Sequence, residues 1–500
     1  MSVFQKIPVH ALRARAEASG AHDLKRVLGR FDLVALGIGA VIGAGIFVLT
    51  GQAAAAYAGP AIVLSMAIAG LASALAGLCY AEFASAVPVS GSAYTYAYAT
   101  LGEFAAWLIG WDLILEYALS ASTVAVSWSG HLGAFLAQLG VAFPAALSAA
   151  PGTLVATSGG HAVTAVFNLP AVLITAFVTV LLLVGIRESA TVNAAMVALK
   201  VAVIAIVIAG GIWFVQPGNW HPFVPPNSGR FGEFGWSGVL RGAAVIFFAF
   251  IGFDAVSTVA QEARDPQRDM PAGILGSLAI CTLLYMLVSG VMVGLVPYQK
   301  MIGSPAPMIV ALDAAALRSS GSAHAMLSGL KLLVEFGAIA GLTSVMLVTM
   351  MAQPRIFRAM AIDGLLPDWA ARIHPRWRTP HVTTIITGIV VAAAAGFTGV
   401  STLGQLVSIG TLFAFIVVAL AVIFLRARRP DLHRPFRVPL APFLPIAAVA
   451  VCLLLMASLP RATWERLVIW MAIGLAIYFA YGYRHSRLRL RKPIDRRLAS

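Results

Sequence analysis

The sequence is divided into long apolar blocks, and these blocks constrain the fold more than any other feature. Each runs for about 20 residues, enough for an α-helix to cross the roughly 30 Å hydrocarbon core of a bilayer. Hydrophobic residues make up 60% of the 500 positions and charged residues only 11%, against roughly 25% in a soluble domain. Because the apolar runs are continuous rather than alternating, a β-barrel is disfavoured. The pattern predicts an all-α polytopic membrane protein.

About twelve transmembrane helices are predicted from these blocks and from the Gly- and Pro-rich points between them. The first block continues past the length of a signal peptide, so no cleavable signal is expected. The three cysteines and ten histidines show no disulfide or metal-ligand spacing, and we expect no cofactor and no metal. The predicted spans are 32–57, 61–87, 97–130, 167–186, 191–215, 237–260, 271–296, 326–357, 381–399, 403–426, 441–459 and 465–483.

Positive charge is distributed unequally between the two sides of this topology. Of the 34 Lys and Arg residues, 26 fall in the tails and loops on the side of the termini, 7 fall on the other side, and Lys200 lies within a span. Positive residues remain cytoplasmic, so both termini are predicted to be cytoplasmic in a multi-pass protein of the cell inner membrane. The net charge of +14 is then an orientation signal with an attraction to anionic membrane lipids. Nucleic acid is not an expected partner.

The segment "GIGAVIGAGIF", Gly37 to Phe47, weakens the first span at its middle. Each glycine costs about 1 kcal/mol relative to alanine inside a helix. Close helix packing through small residues is one interpretation, and Gly39 and Gly43 have the required spacing. An unwound segment is the other.

A second interrupted span, "FFAFIGFDA" from Phe247 to Ala255, lies five spans later. Paired interruptions at corresponding positions are typical of inverted-repeat transporters. Unwound backbone leaves N–H and C=O groups unpaired in a medium where each costs several kcal/mol. A helix start near Ala44 favours a carboxylate, and a helix end near Phe248 favours an ammonium group. The two breaks together fit an amino acid.

Three segments resemble one family. They are "GIGAVIGAGIFVLTG", "FFAFIGFDAVSTVAQEARDPQRDMPAGI" and "MLVTMMAQPRIFRAMAIDGLLP". Together they are similar to the amino acid–polyamine–organocation (APC) superfamily, and within it to bacterial cationic amino acid transporter (CAT) family members, over residues 24–440. The resemblance implies the leucine-transporter fold with a 5+5 inverted repeat, discontinuous helices 1 and 6, and alternating access without covalent chemistry.

The resemblance also implies a domain organisation and a set of site residues. The expected divisions are a cytoplasmic tail 1–30, a first repeat 31–215, a second repeat 237–426, two further helices 427–484 and a basic cytoplasmic tail 485–500. The substrate carboxylate would meet the backbone of Ile42, Gly43, Ala44, Gly45 and Ile46. The amine would meet carbonyls of Phe248, Ala249 and Ile251, with Phe250 as an aromatic lid or a core residue. Ala44 stands where many relatives carry a hydroxyl.

Lys200 is the most informative single residue. A charged side chain inside an apolar span is energetically costly, so its presence there indicates a functional role. A lysine whose charge reaches the membrane surface is the structural alternative. In sodium-independent relatives a lysine at this place occupies a sodium site, near carbonyls of span one and hydroxyls of span eight. Thr343 and Ser344 are the matching hydroxyls. We expect sodium-independent, proton-coupled transport.

Several acids lie inside the predicted spans. Asp112 and Glu116 share one helix face. The resemblance puts Glu116 near the centre of the molecule, either coupled to Lys200 or in contact with the substrate, whereas Asp112 is expected to be structural. Asp254 is expected to stabilise either the unwound backbone of span six or the N-terminus of its second half-helix. Glu335 is expected to form a solvated ion pair with Lys331, four residues earlier.

The expected substrate is a neutral, small to medium L-amino acid such as alanine, because Met346 would narrow the pocket. Cationic amino acids are the alternative, since Glu116 could pair with a guanidinium group. A channel would need a continuous polar path, and an enzyme would need a nucleophile or metal constellation; the sequence contains neither pattern, so no enzyme activity is expected. The sequence leaves open a small accessory membrane subunit.

Overall fold

A computed structural model describes residues 28–86, 92–141, 143–156, 162–185, 190–254, 256, 263–428, 430 and 433–490. The predicted N-terminal tail and the last ten residues thus lie almost wholly outside the described residues. The longer α-helices among the described residues, in chain order, are α1 Arg30–Val41, α2 Ile62–Ala86, α3 Ser92–Thr100, α4 Glu103–Gln138, α5 Leu169–Val184, α6 Ala190–Gly211, α7 Gly235–Ile246, α8 Pro266–Leu295, α9 Pro307–Leu317, α10 Gly321–Ile362, α11 His381–Phe397, α12 Val400–Arg428, α13 Phe443–Ser458 and α14 Arg461–Ile477.

Apolar helices dominate the described part of the chain. Seven helical stretches there are long and apolar enough to cross a membrane, among them Gly45–Ala86, which continues from the first break into α2. Five further apolar helices have 10–17 residues. These findings agree with a polytopic membrane protein, and the number of about twelve spans stays a prediction.

Local sequence explains where several helices begin and end. Proline occupies the first position of α8 and of α9, where its missing N–H costs nothing and its fixed φ suits a helix. The side chain of Asn168 accepts a hydrogen bond from the Ala171 N–H at the start of α5. Gly185 ends that helix in the left-handed conformation, φ 86°, which glycine adopts without strain.

The long helix of the third predicted span differs from the approximate bounds 97–130 at both ends. Gly102, with φ 106°, separates α3 from α4, so the long helix begins at Glu103 instead of residue 97. It continues to Gln138 instead of ending at residue 130. Its last turns carry polar residues such as Ser129 and His131, which interrupt the apolar run in the sequence but are buried in the structure.

The long predicted connections also contain regular structure. Strands β1 Leu154–Ala156 and β2 Ala162–Thr164 pair in an antiparallel hairpin between α4 and α5, a small departure from the predicted all-α class. Helix α9 occupies much of the predicted loop 297–325.

Helices α4 and α8 organise the packing. Helix α8 packs against α1 and α2, and α4 packs against α10 and α12. Helix α10 also packs against α6, which brings Lys200 to the interior, where it is 1% exposed.

The end of the described chain folds back onto the start of α4. Arg489 donates through Nε to Glu103 Oε1 at 2.8 Å, and the Tyr478 hydroxyl donates to the same oxygen at 2.9 Å. Ser486 donates to the other oxygen, Oε2. Both Glu103 and Arg489 are buried, so part of the predicted tail 485–500 belongs to the folded core.

Candidate functional site

The first span is interrupted at Ile42. Helix α1 ends at Val41, and Ile42 takes an extended conformation with φ −72° and ψ 99°. The chain then resumes as a π-helical turn, Gly45–Leu49. The interruption lies inside the glycine-rich segment, and the N–H groups at the start of the second half have no partner within their own helix.

The span that contains α7 is interrupted in the same way. After Ile246 the helix tightens into a 3₁₀ turn, Phe247–Phe250, and Ile251 is extended with ψ 142°. Gly252 follows with φ 115°, a conformation that L side chains rarely adopt.

The two interruptions touch each other. A Cβ atom built on Gly45 would lie 2.3 Å from the Ala249 Cα, and one built on Gly252 would lie 2.7 Å from the Ala40 carbonyl oxygen. Glycine at both positions therefore lets one broken span cross the other at backbone contact.

The two interpretations of the glycine-rich segment apply to different glycines. A Cβ on Gly37 would meet the Ser277 side chain of α8 at 2.5 Å, so Gly37 serves close helix packing. A Cβ on Gly43 would meet only Val345, at an ordinary 3.6 Å. Close contact with a neighbouring helix therefore does not explain the glycine at residue 43. This residue lies in the interruption itself.

Two long side chains satisfy carbonyls at the broken end of α1. Lys200 Nζ donates to the Gly39 carbonyl at 2.9 Å, and the Tyr285 hydroxyl of α8 donates to the Val41 carbonyl at 2.9 Å. The last carbonyls of a helix lack internal partners, and a buried unpaired carbonyl is costly. Sequence analysis identified Lys200 and missed Tyr285.

Lys200 lies against α10 at Gly341. A Cβ on Gly341 would be 3.0 Å from Lys200 Cε, so the glycine makes room for the lysine stem. Ser344, three residues later, lies on the same helix face and is 4% exposed. Thr343 accepts a hydrogen bond from the Trp128 indole N–H of α4 at 3.0 Å and donates to the Ile339 carbonyl at 2.8 Å.

A serine of α12 stabilises the second interruption. The Phe248 N–H donates to Ser408 Oγ, and Ser408 donates to the Val245 carbonyl, both at 3.2 Å. Sequence analysis did not single out this residue, because one serine in an apolar helix is common and its partners lie about 160 positions away.

The neighbourhood of the two interruptions is closed to solvent. Ala44, Ile46, Ala249, Phe250 and Met346 are each at most 1% exposed. The Phe250 ring packs edge-on against Tyr285, with centroids 5.3 Å apart.

Buried acids line α4 beside the second interruption. Asp112 and Glu116 are 0% and 3% exposed. Within the described residues, both Asp112 oxygens and Glu116 Oε2 have no hydrogen-bond partner. Asp254 and Asp112 are the acidic groups that interact electrostatically with Glu116, and the Thr411 hydroxyl of α12 contacts it.

The prediction of a solvated Glu335–Lys331 ion pair is wrong. Glu335 is fully buried and faces His131 of α4, with Nδ1 and Oε2 3.4 Å apart. Lys331 instead pairs with Asp313 of α9. The four-residue spacing on α10 suggested a pair, but a neighbouring helix supplies a better partner for each side chain.

The protein is a multi-pass membrane protein with a polar centre. Its helices are mostly apolar, its interior holds a buried lysine, and two interrupted spans cross each other there. The sequence model of the amino acid permease family matches residues 28–478. The chain belongs to this family, within the APC superfamily.

Similar proteins include permeases and transporters from bacteria and plants. The chain is 45% identical to the methylthioribose transporter of Bacillus subtilis over 97% of its own length and 99% of the relative's. It is 45% identical to the branched-chain amino acid permease BcaP of the same organism, over 97% and 99%. It is 42% identical to the vacuolar cationic amino acid transporter 4 of Arabidopsis thaliana, over 82% and 65%.

Proposed function

We propose that this protein is a sodium-independent, proton-coupled transporter of neutral L-amino acids that works by alternating access. The observation that carries the proposal is the crossing of the two interruptions, where Gly45 meets Ala249 and Gly252 meets Ala40. Membership of the amino acid permease family supports an amino acid as the solute.

The membrane architecture is part of the proposal. About twelve helices in the leucine-transporter arrangement, with residues 31–215 and 237–426 as inverted repeats, would put the two interruptions at corresponding positions. The excess of Lys and Arg on the side of the termini supports cytoplasmic termini.

The substrate's two charged groups would bind backbone at the interruptions. The carboxylate would accept from N–H groups in the segment 42–46, at the positive end of the second half-helix. The ammonium group would donate to carbonyls in the segment 248–251, at the negative end of the 3₁₀ turn. Backbone recognition of this kind leaves the side-chain pocket free to select the amino acid.

Lys200 would couple a proton to the cycle. Its ammonium group reaches the Gly39 carbonyl, close to the end of α1. Loss of the proton would remove a charge-assisted hydrogen bond from the broken helix end, and charge-assisted bonds are roughly twice as strong as neutral ones. Protonation and the position of α1 would therefore depend on each other.

Met346 and the relatives support a neutral side chain. The buried Met346 thioether fills space with an apolar, adaptable group, which suits an aliphatic substrate better than a guanidinium group. One similar protein is a branched-chain amino acid permease. Glu116, with its unpaired Oε2, supports the cationic alternative, and the similarity to a methylthioribose transporter adds an uncharged competitor to test.

Uptake by purified protein in liposomes tests the proposal. We expect saturable uptake of labelled alanine that accelerates with an inward proton gradient and does not change when sodium is replaced by potassium. Unlabelled leucine should compete better than arginine or methylthioribose. Competition by arginine or methylthioribose alone would contradict the proposed substrate.

Lys200→Ala tests the coupling in the same assay. We expect proton-driven uptake to fall at least about tenfold, which corresponds to 1.4 kcal/mol. Lys300→Ala, a substitution of an exposed lysine, is the matched control and should behave as the wild type. Full proton-driven uptake by Lys200→Ala would show that the lysine does not couple the proton.

A further inference from the structure

The His131–Glu335 pair lies on the opposite side of the molecule from the Glu103–Arg489 contact. His131 is 28 residues after Glu103 on the continuous helix α4, or roughly 40 Å at 1.5 Å per residue. Both side chains of the pair are 0% exposed. No role in the proposed cycle uses them.

The pair has few charged neighbours. Gln138 donates to the second carboxylate oxygen, Glu335 Oε1, at 3.4 Å. Two other titratable groups on the packed helices, Lys331 and Asp313, bind each other. Lys200 of α6 lies against Gly341, which is six residues after Glu335 on α10. In α9 and at the start of α10, Arg318 bonds to the Leu295 carbonyl and His324 to the Ala316 carbonyl.

Helices α5 and α11 contribute no charge at this end. Helix α5 contains no charged residue, and α11 has His381 only, at its first position. The turn Gly45–Leu49 is likewise uncharged. Lys331 and Asp313 act electrostatically on Glu335 with opposite signs, so as an ion pair they supply no net charge that could balance a charge on His131 and Glu335.

Electrostatics restricts the pair to one proton. Without a proton it would be a buried anion, and with two it would be a buried cation, and either is costly without a counter-charge. One proton, on Nδ1 or on the carboxyl group, leaves the pair neutral and supplies the hydrogen between Nδ1 and Oε2.

We propose that His131 and Glu335 form a proton-binding site that holds one proton in the closed protein, separate from Lys200. His131 Nε2 has no hydrogen-bond partner among the described residues. The imidazole ring packs edge-on against Phe47, with centroids 5.9 Å apart. Phe47 belongs to the turn that follows the first interruption, so movement of that turn would give water access to the imidazole and allow the pair to exchange its proton.

The pH dependence of stability follows from this single proton. In the unfolded chain, histidine loses its proton above a pH of about 6.5 while the glutamate is ionised. The folded pair keeps one proton, so unfolding releases it and stability falls as pH rises above about 6.5. One proton released corresponds to a tenfold increase in the unfolding equilibrium constant per pH unit.

Thermal unfolding in detergent without added solute tests the proton site independently of transport. We expect the wild-type midpoint to fall between pH 6.5 and 8, and Glu335→Gln, alone or combined with His131→Gln, to flatten this dependence. Each substitution keeps an amide that can form the hydrogen bond but cannot hold the proton. The matched control, Asp313→Asn with Lys331→Gln, neutralises the neighbouring ion pair and should keep the wild-type slope.

The wild-type slope in either variant would overturn the proposal. If one variant does not fold, the other one decides the outcome. Because no solute is present, failure of the proposed transport function would leave this result unaffected.

Discussion

At the scale of single residues, glycine decides whether the two spans can cross. Gly45 and Gly43 lie two positions apart in one segment, but only Gly45 faces backbone of the other span at a distance that excludes a side chain. The sequence alone does not distinguish the roles of these two glycines. The structure separates them by the atoms that a Cβ would meet.

Gly45→Ala should destabilise the protein, whereas Gly43→Ala should not. The new methyl group at residue 45 would overlap the Ala249 backbone, which cannot rotate away, and overpacking of this kind costs about 1–3 kcal/mol or more. At residue 43 the methyl group would make an ordinary contact with Val345. The midpoint of thermal unfolding in detergent measures both, and equal midpoints for the two variants would contradict the crossing geometry.

At the scale of elements, each interrupted helix is completed by side chains from other helices. Lys200 of α6 and Tyr285 of α8 satisfy the end of α1, and Ser408 of α12 satisfies the 3₁₀ turn. A broken helix is tolerated in a membrane only where such partners exist. The helices that supply them thereby fix the position of each break.

Tyr285→Phe should lower stability by about 1–3 kcal/mol, because it leaves the buried Val41 carbonyl without its donor. The ring and its edge-on packing with Phe250 remain. Tyr298→Phe is the matched control. That tyrosine is half-buried in the connection between α8 and α9, so water can replace any protein group as the hydrogen-bond partner of its hydroxyl. Equal unfolding midpoints for the two variants would mean that the Val41 carbonyl does not need Tyr285.

The sequence predicted the interruptions because glycine density and missing helical periodicity are local signals. It also predicted a buried lysine, since one charge in an apolar run is conspicuous. Tyr285 and Ser408 could not be predicted, because their partners lie 244 and 160 positions away. Glu335 was assigned to Lys331 by local spacing, and only the packing of α4 and α9 against α10 reveals His131 and Asp313 as the actual partners.

At the scale of the whole molecule, the C-terminal end of the described chain is held against the start of α4. Glu103 accepts from Tyr478, Ser486 and Arg489, all of which follow α14. The Arg489 guanidinium also lies 3.9 Å from the Tyr483 ring centroid. The last helical turns are thus fixed by a buried charge near the start of the third predicted span.

Deletion of residues 486–500 should destabilise the protein by about 3–5 kcal/mol, because it leaves the buried Glu103 carboxylate without its cation. Deletion of residues 491–500 keeps Ser486 and Arg489 and is the matched control. Adding Glu103→Gln to the longer deletion should recover part of the loss, since an amide carries no charge. The midpoint of thermal unfolding in detergent measures the stability of all three variants. An unchanged midpoint for the longer deletion would refute the structural role of the tail.

The contact between Glu103 and Arg489 also constrains how the protein is made. The two residues are 386 positions apart. At a synthesis rate of about 5–20 residues per second, the ribosome produces the arginine roughly 20–80 s after the glutamate. The nascent chain must therefore carry Glu103 without its arginine partner through most of translation, and this end of the molecule reaches its final form only once synthesis is nearly complete.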